Sequence, residues 1–307
     1  MEKRILDYPD WQDTADTLHL FLQMAGKVKV ERSCKQPGWG HARMPLTIDG
    51  IGTGIIPGSG SSFEIYFNLR QHHVDVQNTD GGKSRIPLRD GLSVADFHGR
   101  LMAALEYIGV PTPINTTPQE FYDETPFTED TKHHAWDPQA VSAYLENLHF
   151  AHRSLARFLA PFRGKVDMPQ FWFGTMDLSG TLFAGQSAPY SGKDVIGVNC
   201  FDEKFVEFGF WPGDVKMSQP AFYVMPYPFL SGIDSYSSMV QPDRAAFRPE
   251  MSEFILTLED AFSYPDPEQA VVDLCRSSFE IVQRIDRWAD LDWITEPLAY
   301  PVPPAPA

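Results

Sequence analysis

The chain has 307 residues, of which 43% are hydrophobic and 13% aromatic, so it can bury a large core and is long enough for about two domains. Its 41 acidic residues outnumber 25 basic ones and give a net charge of −16, and such a surface repels phosphate backbones and anionic membranes. We therefore expect neither nucleic acid nor a membrane as a partner, and we expect a small-molecule ligand or substrate.

Location and redox state follow from what the sequence lacks. No apolar run approaches the roughly 20 residues that a helix needs to cross a bilayer. The three cysteines, Cys34, Cys200 and Cys275, form no CxxC motif and cannot all pair with one another, which is typical of a reducing compartment. We predict a cytoplasmic protein, and the oligomeric state is left open.

The first predicted element is a helix over residues 13–25, where Leu18, Phe21 and Leu22 recur at helical spacing. Gly26 is predicted to end it. Short strands follow within 44–56, where three glycines interrupt the apolar run.

The clearest strand signals come next. Apolar and polar residues alternate over 63–68 and 74–77, and an Asp-Gly turn at 80–81 leads into a third strand over 85–88. Ser93 is the predicted N-cap of a helix that ends at Gly109.

The second half repeats this order of elements. Residues 111–137 and the following Pro138 hold five prolines and predict a linker, after which Asp137 begins a new helix. Five strands are predicted, over 171–177, 181–185, 204–211, 221–225 and 254–258. A last helix is predicted to begin at Asp266.

We predict an α+β fold of two pseudo-symmetric halves, each a mostly antiparallel sheet flanked by helices, that arose by internal duplication. The predicted divisions are a first half at 1–110, a linker at 111–137, a second half at 138–296 and a Pro-rich tail at 297–307. A cleft is expected between the halves, with the longer insertions at 187–199 and 226–249 on its rim.

An aromatic stretch at 171–186, together with the run Gly-Phe-Trp-Pro-Gly at 209–213, holds two Trp, four Phe and the carboxylate Asp177. Aromatic walls with few polar groups are typical of small-molecule pockets, although a packed sheet core has the same composition.

Three short runs are distinctive: Phe-Trp-Phe-Gly at 171–174, Asp-Leu at 177–178 and the Gly-Phe-Trp-Pro-Gly run at 209–213. With Phe183, they resemble the signature blocks of a family of bacterial proteins of about this length that is known only as a domain of unknown function. Weaker likenesses extend over most of the chain, at 18–19, 26–27, 109, 126–127, 130 and 223. The resemblance implies a shared fold and no particular activity.

The chain departs from that family at polar positions. The resemblance implies Asn-His-Trp-Trp where this chain has residues 39–42, His-Glu in place of Glu203-Lys204, Asp in place of Asn68 and an Arg near Leu182. The family's chemistry has therefore been either lost or altered in this member.

Three residues are candidates for catalysis. Asp177 would act as a proton donor if the surrounding aromatic residues raise its pKa, or it could be structural, accepting backbone N–H bonds at the turn 178–180. Glu203 stands where the family has His and could replace it in proton transfer. His19 lies on a polar stripe of the first helix and could be a general base, or the stripe could be a solvated face.

Substrate contacts are expected from aromatic and histidine side chains. The predicted substrate-binding residues are Trp172, Phe183, Trp211, Tyr223, Tyr227, His41 and His72. For the Trp residues, simple packing between sheets is an open alternative.

No metal site and no cofactor are predicted. His149 and His152 share a helix face, with His133 and His134 upstream, but no acidic ligand falls on the same face. Phosphate loops and Ser or Cys nucleophile motifs are missing from the sequence.

These observations favour a cofactor-independent acid–base enzyme of the isomerase, cyclase or lyase type that acts on a small apolar or aromatic metabolite. Such an enzyme would fit secondary metabolism. One alternative is a non-catalytic small-molecule-binding or partner protein that has lost its family's polar site. Another is a metal-dependent enzyme that uses His residues. The sequence leaves the substrate, the reaction and catalysis itself open.

Overall fold

The structure is a computed structural model and describes residues 5–299. Within these residues the chain forms two antiparallel sheets, one of four strands and one of six, flanked by helices. The predicted α+β class with antiparallel sheets is confirmed. The predicted tail at 297–307 lies almost wholly outside the described residues.

The first sheet is a simple meander between two helices. The long helix α1 spans Tyr8–Arg32 and α2 spans Val94–Tyr107. The strands between them are β1 (Gly50–Gly52), β2 (Phe63–Asn68), β3 (His73–Asn78) and β4 (Lys83–Pro87), hydrogen-bonded in that order. Ser93 caps α2 as predicted, since its hydroxyl accepts a hydrogen bond from the Asp96 N–H at 3.1 Å.

The second sheet has the strand order β5-β6-β7-β8-β10-β9. Its strands are β5 (Val166–Phe171), β6 (Leu178–Ser187), β7 (Glu203–Trp211), β8 (Ala221–Tyr227), β9 (Ala246–Arg248) and β10 (Glu253–Thr257). The helices of this half are α3 (Pro138–Leu159), α4 (Val195–Cys200), α5 (Leu258–Ser263), α6 (Pro267–Ile285) and α7 (Leu291–Ile294). Two 3-10 segments, Pro37–Ala42 and Ile233–Met239, complete the described elements.

The two faces of the second sheet differ in what covers them. Phe208 and Phe222 are fully buried on one face, where the ring of Phe208 lies 4.8 Å from that of Phe158 on α3. Glu207 and Tyr223 belong to the opposite face, because side chains alternate along a strand. That opposite face lies on the side of α1 and contains the candidate site.

Helix α1 is longer than its sequence predicts. It continues seven residues beyond 25, so Gly26 lies inside the helix and does not end it. A Cβ atom at Gly26 would lie 2.1 Å from Cδ1 of Phe173, so the glycine serves a close approach of the helix to the 172–177 turn. Packing with a distant segment has overridden a local helix-ending signal.

The predicted strand at 171–177 is also wrong. Strand β5 ends at Phe171, and the next six residues turn back on themselves, with the Trp172 N–H donating to the Asp177 carbonyl at 2.9 Å. Met176 in this turn has a φ of 62°, which a strand does not allow. The aromatic residues gave this segment a high strand propensity, but they extend from a turn.

The Pro-rich segment 111–137 packs against α1. Its Gln119 N–H donates to Gln23 Oε1 at 2.8 Å, and the Lys27 ammonium donates to the Asn115 carbonyl at 3.1 Å. A backbone bridge between Met44 and Phe171 joins the two halves directly. The helix–sheet–helix order recurs in both halves, but with four strands in one and six in the other it does not show a duplication.

Among residues 5–299, no helix has the length and apolar character that a membrane crossing requires.

Candidate functional site

A cavity of about 620 Å³ lies on the α1-facing side of the second sheet. Its walls are formed by side chains from α1, the 3-10 segment Pro37–Ala42, the Pro-rich segment, the 172–177 turn, α4 and strands β7, β8 and β10. Its lining includes aromatic, acidic and other side chains: Lys27, Trp39, Glu120, Trp172, Asp177, Glu207, Trp211, Tyr223, Met225, Met251 and Glu253. Most of this wall is apolar, which is typical of a small-molecule site.

A chain of hydrogen bonds crosses the polar part of the cavity wall. The Tyr223 hydroxyl donates to Asp177 Oδ2 at 2.5 Å and lies 3.1 Å from Glu207 Oε1. On the other side of Glu207, the Ser179 hydroxyl donates to the same Oε1 at 2.5 Å, while Trp172 Nε1 donates to the Ser179 oxygen at 2.8 Å. Because a tyrosine has one proton, its contact with Glu207 is satisfied when Glu207 is protonated and donates to the phenol oxygen.

Strand register explains why these groups meet. Gly209 on β7 pairs with Ser179 on β6 and with Tyr223 on β8. A Cβ atom at Gly209 would lie 2.2 Å from the Tyr223 ring, so the ring lies across the glycine and its hydroxyl reaches Asp177 on the far side. The first glycine of the 209–213 run is therefore needed for this hydrogen bond.

The carboxyl groups of the cavity hold their protons more tightly than usual. Burial raises the pKa of Asp177, and burial followed by the charge of Asp177 raises that of Glu207. Burial, with the charges of Glu207 and Asp177, raises the pKa of Glu253 to about 7. The same causes place the Tyr223 pKa well above 10. Near neutral pH the site therefore contains proton donors as well as acceptors.

Neither nearby cation forms an ion pair with these acids, although the charge of Arg43 opposes the rise in the Glu207 pKa. Burial lowers the pKa of Lys27, whose ammonium group donates to the carbonyls of Asn115 and Thr117. The Arg43 guanidinium is paired with Asp167 at 2.5 Å and lies over the ring of Trp172.

Four of the predicted site residues line this one cavity: Trp172, Asp177, Trp211 and Tyr223. They come from the aromatic stretch, from the 209–213 run and from β8. The structure thus brings together the residues around which the sequence predicted a pocket, while their roles stay predictions.

Glu203 is outside the cavity. Its carboxylate is paired with Lys165 at 2.9 Å and accepts the Gly185 N–H at 2.8 Å. Glu207 lies four residues further along β7, on the same face of the strand, and it does line the cavity. Both acids belong to β7, and only the strand register shows that Glu207 and not Glu203 lies beside Tyr223.

His19 is buried beneath the 172–177 turn, where its Nε2–H donates to the Gly174 carbonyl at 2.9 Å. Burial lowers its pKa to about 4, so the ring is neutral at pH 7. It lines a separate cavity of about 180 Å³. The alternative of a solvated helix face is wrong, because His19 is buried. His19 is not part of the main cavity wall, and its role as a general base stays a prediction.

Four other predicted contacts lie elsewhere. Phe183 and Tyr227 pack with Phe205 in a separate aromatic cluster. His41 is buried, and its Nδ1 accepts the Gln36 N–H at 3.1 Å. His72 precedes β3 in the first sheet and lies edge-on to Trp136. None of the four lines the main cavity.

Several lining residues were missed by the sequence argument. Glu120 belongs to the segment predicted as a linker, Trp39 to a loop, and Glu253 begins the strand β10. Ile196 comes from α4 in the predicted rim insertion, and its carbonyl accepts a hydrogen bond from Trp39 Nε1 at 3.1 Å. These residues are distant in sequence, and only the folded chain makes them neighbours.

The histidines considered as metal ligands are dispersed. His149 Nε2 contacts the Thr47 carbonyl at 2.9 Å, and His133 Nδ1 contacts Asp130 Oδ2 at 2.7 Å. In the described part of the chain, no three His, Cys, Asp or Glu side chains are grouped so that they could hold a metal ion.

The fold and the site define an α+β protein with an apolar cavity whose floor contains linked carboxyl groups. The chain belongs to DUF5996, a family of unknown function, whose sequence profile matches residues 4–293. The resemblance to a family known only as a domain of unknown function is thereby confirmed. Comparison with curated proteins and with solved structures gives no match.

Proposed function

We propose that this protein is an enzyme that transfers protons to and from a small, largely apolar molecule bound in the cavity. The observation that carries the proposal is the hydrogen-bonded chain Asp177–Tyr223–Glu207 in the wall of that cavity. Carboxyl groups in an apolar site are suited to general acid–base catalysis, because burial moves their pKa values toward neutral pH.

The arrangement supplies a base and an acid together. As a carboxylate, Asp177 accepts a proton from the bound molecule, and protonated Glu207 returns one at another atom. After the reaction, Asp177 donates its proton to the Tyr223 oxygen while the Tyr223 hydroxyl donates its own to Glu207, which restores the starting state. Isomerisation, cyclisation, elimination and hydration all need such a paired transfer.

The proposal is tested by hydrogen exchange into bound molecules. A library of small, largely apolar ketones, alkenes, amines and aromatic compounds is incubated with the protein in D₂O, and mass spectrometry detects deuterium uptake at carbon or a changed product. We expect Glu207→Gln and Asp177→Asn to lower the rate by a factor of about 100 or more. Glu203→Gln is the matched control, since it removes a carboxylate from the same strand face outside the cavity, and it should keep the wild-type rate.

Equal rates in the wild type and Glu207→Gln would contradict the assignment. Native mass spectrometry provides a second test. It shows whether a small molecule stays bound to the purified protein and whether that molecule is chemically changed over time. A ligand that stays bound and chemically unchanged over many hours would favour the non-catalytic binding protein.

A further inference from the structure

The charged side chains that line the cavity are mainly acidic. Four carboxyl groups line it, and they come from four separate parts of the chain: Glu120 from the Pro-rich segment, Asp177 from the turn, Glu207 from β7 and Glu253 from β10. Like charges that are brought together in an apolar site oppose one another and cost stability. The charge of Asp177 raises the pKa of Glu120, Glu207 and Glu253.

In the described part of the chain, no Lys or Arg forms an ion pair with any of these four carboxyl groups, and the charge of Arg43 lowers the pKa of Glu207 alone among them. Lys27 is the basic residue of the lining, and its ammonium group is held by two backbone carbonyls and lies 5.2 Å from the centre of the Phe127 ring. The backbone of Glu253 pairs with that of Arg248 on β9. Within residues 5–299, its carboxyl group makes neither a hydrogen bond nor an ion pair with another side chain or backbone group. Its carboxyl group is therefore available to pair with a ligand in the cavity.

The walls are also of a kind that attracts organic cations. Trp39, Trp172 and Trp211 all line the cavity, and the face of an indole ring binds a positive charge better than other aromatic rings do. Met225 and Met251 add polarizable thioethers, which adapt to irregular ligands. A metal ion needs several close oxygen or nitrogen ligands, whereas an amine with a hydrocarbon body is satisfied by aromatic faces and a few carboxylates.

We propose that the molecule bound in this cavity is an organic cation, an amine or ammonium compound with an apolar or aromatic body. This inference rests on the proposed function in one respect, that the cavity is a ligand site, and it adds the charge of the ligand. The cation lies against the indole faces, and Glu253 with the Asp177 carboxylate supplies the opposite charge.

Binding of a cation should expel protons from the site. A positive charge beside a carboxyl group favours its ionised form, so a group that is partly protonated at pH 7 releases its proton when the cation binds. The groups that face Glu253 from the surrounding elements and share in this titration are Lys27, Glu120, Asp177, Cys200, Glu207 and Tyr223, with Arg43 behind Trp172. Affinity for the cation should therefore rise with pH through about 7.

The test uses two matched probes with the purified full-length protein. Benzyltrimethylammonium has the shape of neopentylbenzene but carries a positive charge, and phenylacetate serves as an anion of similar size. Titration calorimetry and tryptophan fluorescence measure each affinity at pH 6 and pH 8. We expect the cation to bind at least about tenfold more tightly than its neutral isostere at pH 8, with a smaller preference at pH 6.

Proton release is measured by repeating the calorimetry at pH 7 in two buffers that differ in ionisation enthalpy. The observed enthalpy should change with the buffer in the direction of protons released by the protein. In Glu253→Gln, cation affinity should fall by about tenfold and fewer protons should be released. Glu250→Gln is the control, because Glu250 is exposed and lies three residues away outside the cavity, and it should behave as the wild type.

Equal affinity for benzyltrimethylammonium and neopentylbenzene, or tighter binding of phenylacetate, would overturn the cation assignment and leave the cavity as a site for neutral or anionic molecules. Binding of none of the three probes would overturn it as well. If the wild-type protein prefers the cation but shows no deuterium transfer in the D₂O experiment, the result would contradict catalysis and leave the cation assignment intact. The failure of each proposal is therefore recognised separately.

Discussion

Glu253 shows at the scale of one residue how the site affects stability. Its pKa is raised from an ordinary value of 4.5 to about 7 by burial and by the charges of Glu207 and Asp177. The folded protein therefore holds this proton more tightly than the unfolded chain does. The resulting contribution to stability is complete below about pH 4.5 and is lost as the pH rises through about 7.

Replacing Glu253 with Gln should consequently stabilise the protein at pH 8 and have little effect at pH 4.5. The full shift corresponds to about 3 kcal/mol, and the partial exposure of the side chain reduces the expected gain to about 1–2 kcal/mol. Urea denaturation at both pH values measures the free energy of unfolding. Glu250→Gln should show no comparable pH-dependent gain, and an equal gain in both variants would contradict the explanation.

Asp177 illustrates how far one residue could be interpreted from the sequence. Its position in an aromatic stretch predicted burial and a raised pKa, and the structure shows it 7% exposed with its pKa raised. The Thr175 hydroxyl in the same turn donates to its carboxylate, which is not the backbone N–H bond at 178–180 of the structural alternative, so both roles of Asp177 stay predictions. Its partner Glu207 could not be chosen over Glu203, since only the strand register shows which acid lies beside Tyr223.

At the scale of elements, Gly26 of α1 provides a sharp test of the contact between this helix and the 172–177 turn. Ala is favoured over Gly in a helix by about 1 kcal/mol, but a Cβ at this position would overlap the buried Phe173 ring. Overpacking of this kind costs about 1–3 kcal/mol. Since the helix gain offsets about 1 kcal/mol of this cost, we expect Gly26→Ala to destabilise the protein by up to about 2 kcal/mol in chemical denaturation.

The matched control lies on α2. Gly99 is an exposed helical glycine, and a Cβ there would meet no atom within 4 Å. Gly99→Ala should therefore stabilise the protein by about 0.5–1 kcal/mol. Stabilisation by both substitutions would show that Phe173 can move away without cost and that α1 does not position the turn.

Elements with local signals were predicted well from the sequence. Ser93, Asp137 and Asp266 cap the helices that they were expected to cap, because an N-cap depends on one side chain and the next few N–H groups. Alternation over 63–68 likewise identified β2. The errors at Gly26 and at 171–177 have one cause: each depends on contact between α1 and the turn, which are distant in sequence.

At the scale of the whole molecule, the two halves are joined by direct contacts. The Tyr8 N–H donates to the Ser218 carbonyl at 2.8 Å, the Asp137 N–H donates to Thr14 Oγ1 at 3.0 Å, and His149 contacts the Thr47 carbonyl. One continuous hydrophobic core includes buried residues of both sheets. The Pro-rich segment contributes Glu120 to the cavity wall.

These contacts predict that the chain unfolds as one cooperative unit and not as two domains divided near residue 111. A division at that point would expose the apolar surface shared by α1 and the second sheet, which opposes independent unfolding. Hydrogen exchange with mass spectrometry at increasing urea concentration follows peptides from β2–β3 and from β7–β8 separately. We expect the same midpoint for both sets, whereas a difference of about 1 M or more would show that the halves fold independently and that the cavity forms only when they dock.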